Sequence, residues 1–107
     1  MIRQSYTAVV ERNVEWFGSY SSEPYEAAWA SEAIFFVRAL KGSGKGSVAK
    51  VQISPDGMNW CDEGDSFNLP EEGRVSFCKV SHFGGWLRII GKTDSAVTVL
   101  VTLSLKE

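Results

Sequence analysis

The stretch VQISPDGMNWCDEG, residues 51–64, decides the predicted fold class of this chain. It continues an extended run over residues 47–54, in which apolar and polar side chains alternate. The side chains predicted to face inward are Ala49, Val51 and Ile53. Alternation at a period of two is typical of a strand with one buried face. The run stops at Pro55, Asp56 and Gly57. Pro55 has a fixed φ, Asp56 tolerates turn conformations, and Gly57 can adopt a positive φ, so a tight turn is predicted.

The residues after this turn resume an extended run at Trp60, and strand, turn and strand together predict a β-hairpin. Similar turn chemistry in HFGGWL, residues 82–87, predicts a second hairpin. We expect GKTDSA, residues 91–96, to separate the last two strands, and KGSGKGS, residues 41–47, to form a loop.

Further strands are indicated at both ends of the chain. The clearest is AVTVLVTLSL, residues 96–105, which is rich in β-branched side chains that favour strands. Its predicted inward set is Val97, Val99, Val101, Leu103 and Leu105. WLRIIG, residues 86–91, places Leu87 and Ile89 on one side, and SYTAVVER near the start is another alternating run.

The segment RVSFCKV, residues 74–80, alternates less cleanly. Val75 and Phe77 start on one side, but Val80 breaks the parity. A bulge inserts one extra residue into a strand and switches its parity. We therefore expect a bulge near Cys78.

Residues 22–31 are ambiguous between helix and strand. A serine cap, an early proline and several alanines could start a helix. The segment nevertheless runs directly into the strand-like AIFFVRAL, residues 33–40, within a chain that is strand-rich throughout. We favour a short strand or extended turn there, with a helix as the alternative.

Strands of 6 to 10 residues, separated by regular turn signals, are typical of a sandwich or small barrel. The chain is 107 residues long, enough for a single core. We predict one all-β domain over residues 1–107, an antiparallel β-sandwich of jelly-roll type with about eight strands.

Composition argues against several classes of function. A net charge of −2 disfavours nucleic-acid binding, which requires a basic face. No apolar run reaches the roughly 20 residues of a membrane-spanning helix. The first residues, MIRQSYTAVVERNVEW, lack the uninterrupted apolar core of a secretory signal, so we expect a cytoplasmic or virion-assembled protein.

Signals of catalysis are weak, and we predict a protein that is not an enzyme and holds no cofactor. The single histidine, His82, has no neighbouring nucleophile, and no Gly-x-Ser-x-Gly elbow is present. A phosphate-binding loop requires Ser or Thr directly after its Gly-Lys pair, and a helix follows the loop. Here Gly44 and Lys45 are followed by Gly46 and precede a predicted strand.

Metal and disulfide chemistry have little support. One histidine with Cys61 and Cys78 cannot make a four-ligand zinc site, and we expect both cysteines to be small buried apolar residues without a bridge. Residues 56–72 are rich in carboxylates, namely Asp56, Asp62, Glu63, Asp65, Glu71 and Glu72. Calcium is a minor alternative there, and solvated hairpin tips are the main interpretation.

Apolar residues at outward positions are the more informative feature. A sandwich strand needs only one apolar face, yet several strands carry apolar side chains on both. The outward set is Ile34, Phe36, Trp86, Ile90 and Leu100. If these residues cluster, they form a patch that monomers rarely leave bare, and we predict a contact with another copy of the chain or a larger assembly. The alternative is that they are scattered, or covered by the segment SSEPYEAAW.

Tryptophans support a rival hypothesis, a carbohydrate-binding module. Trp16, Trp29 and Trp60 could provide flat faces that stack on sugar rings. The loop from Asp62 to Asp65 could add a polar contact to such a glycan.

The succession VQISPDGMNW, then GGWLRIIGKTDSAVTVLVTLSLK, resembles small jelly-roll modules of phage virion proteins and related bacterial proteins. The resemblance covers residues 33–106. It implies an architectural role, as a decoration, adaptor or attachment domain that is multimeric in place and has no catalytic activity.

Overall fold

The structure, a computed structural model, describes residues 5–81 and 83–107. The described chain contains seven β-strands and no helix, and none of it is a helix long and apolar enough to cross a membrane. The strands are β1 (Ser5–Ser21), β2 (Tyr25–Glu26), β3 (Glu32–Lys41), β4 (Val48–Ser54), β5 (Cys61–Asn68), β6 (Val75–Ser81) and β7 (Trp86–Lys106). All strand pairs are antiparallel, which confirms the predicted all-β class with seven strands in place of about eight.

The long strand β7 organises the sheet. The strand order is β5-β4-β7-β3-β6, and β1 and β2 pair with β7 along its other side. Residues 86–91 of β7 pair with β4, and residues 98–106 pair with β3. The first layer therefore comprises β5, β4 and the start of β7, and the second layer comprises β6, β3 and the end of β7. β1 runs beside β7 through both layers.

The core lies between these two layers. The predicted inward side chains of the last strand are all buried, as are Leu87 and Ile89 earlier in β7. Phe35 and Val37 from β3 meet Ala49 and Val51 from β4 in one continuous apolar cluster. Two-residue alternation thus identifies the buried face correctly over most of the chain.

Strand β1 keeps its pairing with β7 through several register shifts, at Val9/Glu11, Glu11/Val14 and Trp16/Gly18. Gly18 has a φ of 69°. Bulges of this kind bend a strand and raise its twist. The bends allow one strand to belong to both layers.

The hairpin predicted from residues 51–64 joins β4 to β5. Gly57 has the expected positive φ of 79°, and its N–H donates to Ser54 Oγ at 2.8 Å. The Asp56 carboxylate accepts the backbone N–H groups of Met58 and Asn59 at 2.9 and 2.8 Å, and these hydrogen bonds hold the pKa of Asp56 far below its usual value. Trp60 directly precedes β5.

Two other predicted turns are wrong. The hairpin predicted from residues 82–87 would pair β6 with β7, but β6 pairs with β3 whereas the start of β7 pairs with β4 and β2. Residues 91–96 do not separate two strands, because β7 is continuous there and pairs with β1 on both sides of Trp16/Gly18.

The bulge predicted near Cys78 is also wrong. The register between β3 and β6 is unbroken from Glu32 opposite Ser81 to Arg38 opposite Val75. Cys78 and Val80 define the buried parity of β6, so the side chains at Val75 and Phe77 lie on the outer face.

Of two further predictions of local structure, one is confirmed and one is wrong. Residues 22–31 contain only the short strand β2 and a turn, as favoured above. The predicted loop from Asp62 to Asp65 is instead part of strand β5.

Candidate interaction surfaces

The five outward apolar residues predicted for a contact lie on two different faces. Ile34, Phe36 and Leu100 lie on the outer face of the second layer, on β3 and β7. Trp86 and Ile90 lie on the outer face of the first layer, where β7 pairs with β4. All five are half-buried, and they do not form one surface.

Three further apolar residues lie on the outer face of the second layer, and the sequence alone did not indicate them as contact residues. Phe77, with 56% of its surface exposed, lies opposite Phe36, and the two rings have centroids 6.3 Å apart. Thr102 and Val9 continue the same row across β7 and β1. We call the combined set the apolar face, and its members are Val9, Ile34, Phe36, Val75, Phe77 and Leu100.

A usable signal for the missed residues existed in the sequence. Had the parity of β6 been set by Cys78 and Val80, Val75 and Phe77 would have been predicted to face outward beside Phe36. Pairing of β6 with β3 is not encoded in either strand alone, so their shared face became visible only in the folded sheet.

Two cations border the apolar face. Lys79 lies opposite Ile34, and Arg38 lies opposite both Val75 and Leu100. Both cationic residues are exposed. The strand rows that hold these apolar residues contain no carboxylate, so the face is apolar with a basic margin.

Strand β5 has the opposite charge. Asp62, Glu63 and Asp65, here called the acidic edge, lie within four residues of this outermost strand of the first layer. Asp62 accepts a hydrogen bond from Gln52 Nε2 at 2.9 Å. Burial and the neighbouring Asp65 raise the pKa of Glu63. Burial, with Asp65 and Glu63 nearby, raises the pKa of the Cys78 thiol to about 11.

Among the described residues there is no group of metal ligands and no disulfide. Within residues 5–81 and 83–107, no three His, Cys, Asp or Glu side chains are grouped so that they could hold a metal ion. Both cysteines are free, Cys61 exposed and Cys78 buried, so the expectation of burial holds for Cys78 alone. His82 lies outside the described residues.

The tryptophans proposed for sugar stacking have different environments. Trp16 is only 3% exposed and stacks on Tyr20 with ring centroids 4.2 Å apart, so burial leaves it no free face for a ligand. Trp60 is half-buried, and the Arg88 guanidinium lies 4.3 Å above its ring. Trp29 is 43% exposed.

Trp29 forms part of an open cleft of about 450 Å³. We call this the aromatic cleft, and its lining residues are Ser5, Tyr6, Tyr25 and Trp29. The segments that supply them are the start of β1, strand β2 and the turn after it. Burial and the nearby Tyr6 raise the pKa of the Tyr25 phenol. The sequence indicates Trp29 but neither tyrosine, because the fold alone brings the three positions together.

These features define an antiparallel β-sandwich with an exposed apolar face and an aromatic cleft. No family model matches the sequence, and no curated protein matches it. Several solved structures share the fold at low sequence identity.

The PBSX exported protein XepA is 11% identical, with a TM-score of 0.65 over 94% of this chain and 36% of XepA. The chain thus spans about a third of the length of XepA. The SPBc2 prophage-derived protein YomS is 9% identical, with a TM-score of 0.66 over 100% of this chain and 96% of YomS. A chain of the Bacillus endospore appendages, which form disulfide-linked pili, is 12% identical, with a TM-score of 0.52 over 98% of this chain and 85% of that chain. At these identities the similarity shows a shared β fold that also occurs in prophage-derived proteins.

Proposed function

We propose that this chain is a non-catalytic structural module that assembles with further copies of itself through the apolar face. The observation that carries this proposal is the row that runs from Phe77 on β6 through Phe36 on β3 and past Thr102 on β7 to Val9 on β1. Monomeric proteins rarely leave a contiguous apolar patch of this kind in water, and a protein partner would remove it from solvent.

Charge complementarity favours a second copy as the partner. Arg38 and Lys79 border the apolar face, whereas the acidic edge on β5 lies in the other layer. If the apolar faces of two copies met, Arg38 and Lys79 of both copies would come together. That contact would hold four cations and no carboxylate from the strand rows that hold the apolar face. Contact with the acidic edge of the next copy would instead pair opposite charges. Such a head-to-tail contact is heterologous and builds rings or filaments.

The structural similarities support this proposal by analogy of fold. Fold alone does not determine function, since one architecture serves many roles. A similar sandwich nevertheless occurs in Bacillus appendages that form pili and in a prophage-derived protein. An assembly role, with a cytoplasmic or virion-assembled location, agrees with the phage-virion resemblance of residues 33–106.

The test replaces the most exposed aromatic residue of the apolar face, in the variant Phe77→Asp. We expect the wild-type chain to form oligomers by size-exclusion chromatography with light scattering, and the variant to elute as a monomer. Because Phe77 is more than half exposed, the substitution should leave the thermal unfolding transition nearly unchanged.

Phe17→Asp is the matched control, because Phe17 is 66% exposed on β1 and lies outside the apolar face. It should retain the wild-type mass. A wild-type chain that stays monomeric at high concentration, or equal dissociation by both variants, contradicts the proposal.

A further inference from the structure

The aromatic cleft has a chemical character different from the apolar face, and no residue is common to both. Tyr6 and Trp29 are both exposed large aromatic side chains, and Tyr25 is half-buried on β2, where it lies opposite Leu87 of β7. The cleft volume of about 450 Å³ falls within the range of roughly 300–1,000 Å³ found for small-molecule sites.

We propose that the aromatic cleft is a carbohydrate-binding site that stacks a pyranose ring on Trp29 and orients it with the hydroxyl groups of Ser5, Tyr6 and Tyr25. A pyranose has a C–H face that packs on an aromatic ring and a rim of hydroxyl groups that need hydrogen-bond partners. Tyrosine and tryptophan provide both kinds of contact, since each combines an apolar ring with a polar atom. Ser5 adds a hydroxyl group that can donate and accept.

The positions of the two tyrosines strengthen this assignment. Both tyrosines line the cleft, and Tyr6 lies near enough to Tyr25 to raise the pKa of the Tyr25 phenol. The Tyr25 phenol stays neutral at physiological pH, because its pKa is raised from an ordinary value that is already high. A sugar would therefore meet a neutral phenol at Tyr25 that can donate and accept a hydrogen bond.

Other ligands that bind aromatic residues fit less well. A nucleotide would place a phosphate beside its stacked base, and among the described residues none of those that line the cleft is Lys or Arg. A quaternary ammonium group requires aromatic walls on several sides of the cation. This cleft is open, so a flat ring matches it better than a sphere.

The site offers a direct test by ligand-detected saturation-transfer NMR and tryptophan fluorescence titration of the purified chain. The probes are glucose, galactose, N-acetylglucosamine and the β-linked tetrasaccharides of glucose and N-acetylglucosamine, with choline and AMP as competing classes. We expect saturable binding of at least one saccharide and a rise in its Kd of at least tenfold in Trp29→Ala. Tyr25→Phe should weaken binding less, because it retains the ring and loses only the hydroxyl group.

Phe17→Ala is the matched control, since it removes an exposed aromatic residue outside the cleft and should leave the Kd unchanged. Binding should also persist in Phe77→Asp, which separates this site from the apolar face and from the proposed assembly. The inference is overturned if no saccharide binds saturably, if Trp29→Ala binds as well as wild type, or if choline or AMP binds in place of the sugars.

Discussion

At the scale of single residues, Gly91 decides how the aromatic part of the core packs. It lies on β7 directly opposite Tyr20 of β1, and a Cβ built on it would lie 2.7 Å from Tyr20 Cζ and 2.9 Å from the Val48 carbonyl oxygen. The absence of a side chain at Gly91 lets the Tyr20 ring cross the strand and stack on Trp16. A glycine within a strand often marks such a close approach.

We expect Gly91→Ala to destabilise the chain by about 1–3 kcal/mol, the usual cost of forcing extra volume into a packed core. The reason is that neither Tyr20 nor the backbone at Val48 can move without disturbing the core. Urea unfolding followed by tryptophan fluorescence measures the change.

The matched control is Gly85→Ala, because a Cβ there would lie 3.8 Å from the nearest atom, the Pro55 carbonyl oxygen. It should unfold close to wild type. Equal midpoints for the Gly91 variant and wild type would show that the core relaxes around the added methyl group.

At the scale of elements, β5 carries charge where an inner strand would carry apolar side chains. Cys61 lies opposite Ile53 and Phe67 opposite Ala49, and within β5 only Glu63 and Phe67 are half-buried, whereas the other residues are exposed. Glu63 and Asp65 are near the Cys78 thiol of β6. A half-buried charge such as that of Glu63 on an outermost strand discourages edge-to-edge pairing with other strands, at some expense of stability.

This arrangement predicts a pH-dependent gain in stability for Glu63→Gln. The folded pKa of Glu63 is raised above 4.5 by burial and by Asp65, so its charge destabilises the folded state at neutral pH. That destabilisation is complete above the folded pKa and disappears as the pH falls towards the unfolded value of about 4.5. Glu63→Gln should therefore have a higher Tm than wild type near pH 7.5, and the difference should vanish near pH 4.

Glu63→Asp keeps the charge and is the control, since it should show no gain in Tm at neutral pH. Thermal unfolding by circular dichroism across this pH range measures both variants. A gain for Glu63→Gln that stays constant with pH would mean that the carboxylate charge is not its cause.

At the scale of the whole molecule, the net charge of −2 is small, so overall repulsion between copies opposes association only weakly. Positive and negative charges are nevertheless separated on the surface. Arg38 and Lys79 lie beside the apolar face, and the acidic edge lies on β5. Exposed charges interact less strongly when salt screens them.

The head-to-tail arrangement therefore predicts that self-association weakens several-fold in Kd as salt rises from about 0.05 to 0.5 M. Sedimentation equilibrium across this range measures it. The charge-reversal variant Arg38→Glu should associate more weakly than wild type at low salt and approach it at high salt. Association that tightens with salt would contradict head-to-tail contact and indicate pairing of two basic faces.

Local patterns in the sequence account for the parts of the fold that depend on neighbouring residues along the chain. Pro55, Asp56 and Gly57 set their own backbone angles, and side-chain alternation is a property of a single extended strand. The hairpin, the buried faces of β4 and β7, and the all-β class follow from these local properties. Ile34, Phe36 and Leu100 were placed outward correctly for the same reason.

The tertiary structure alone decided which strands are neighbours. Residues 91–96 have turn chemistry, yet they remain extended because β1 pairs with β7 on both sides of them and a turn would forfeit those hydrogen bonds. Pairing of β3 with β6 placed Phe77 beside Phe36, and the position of β2 brought Tyr25 to Tyr6 and Trp29. Contacts between residues distant in the chain depend on the closure of the whole sheet, so both candidate surfaces emerge only when the strands assemble.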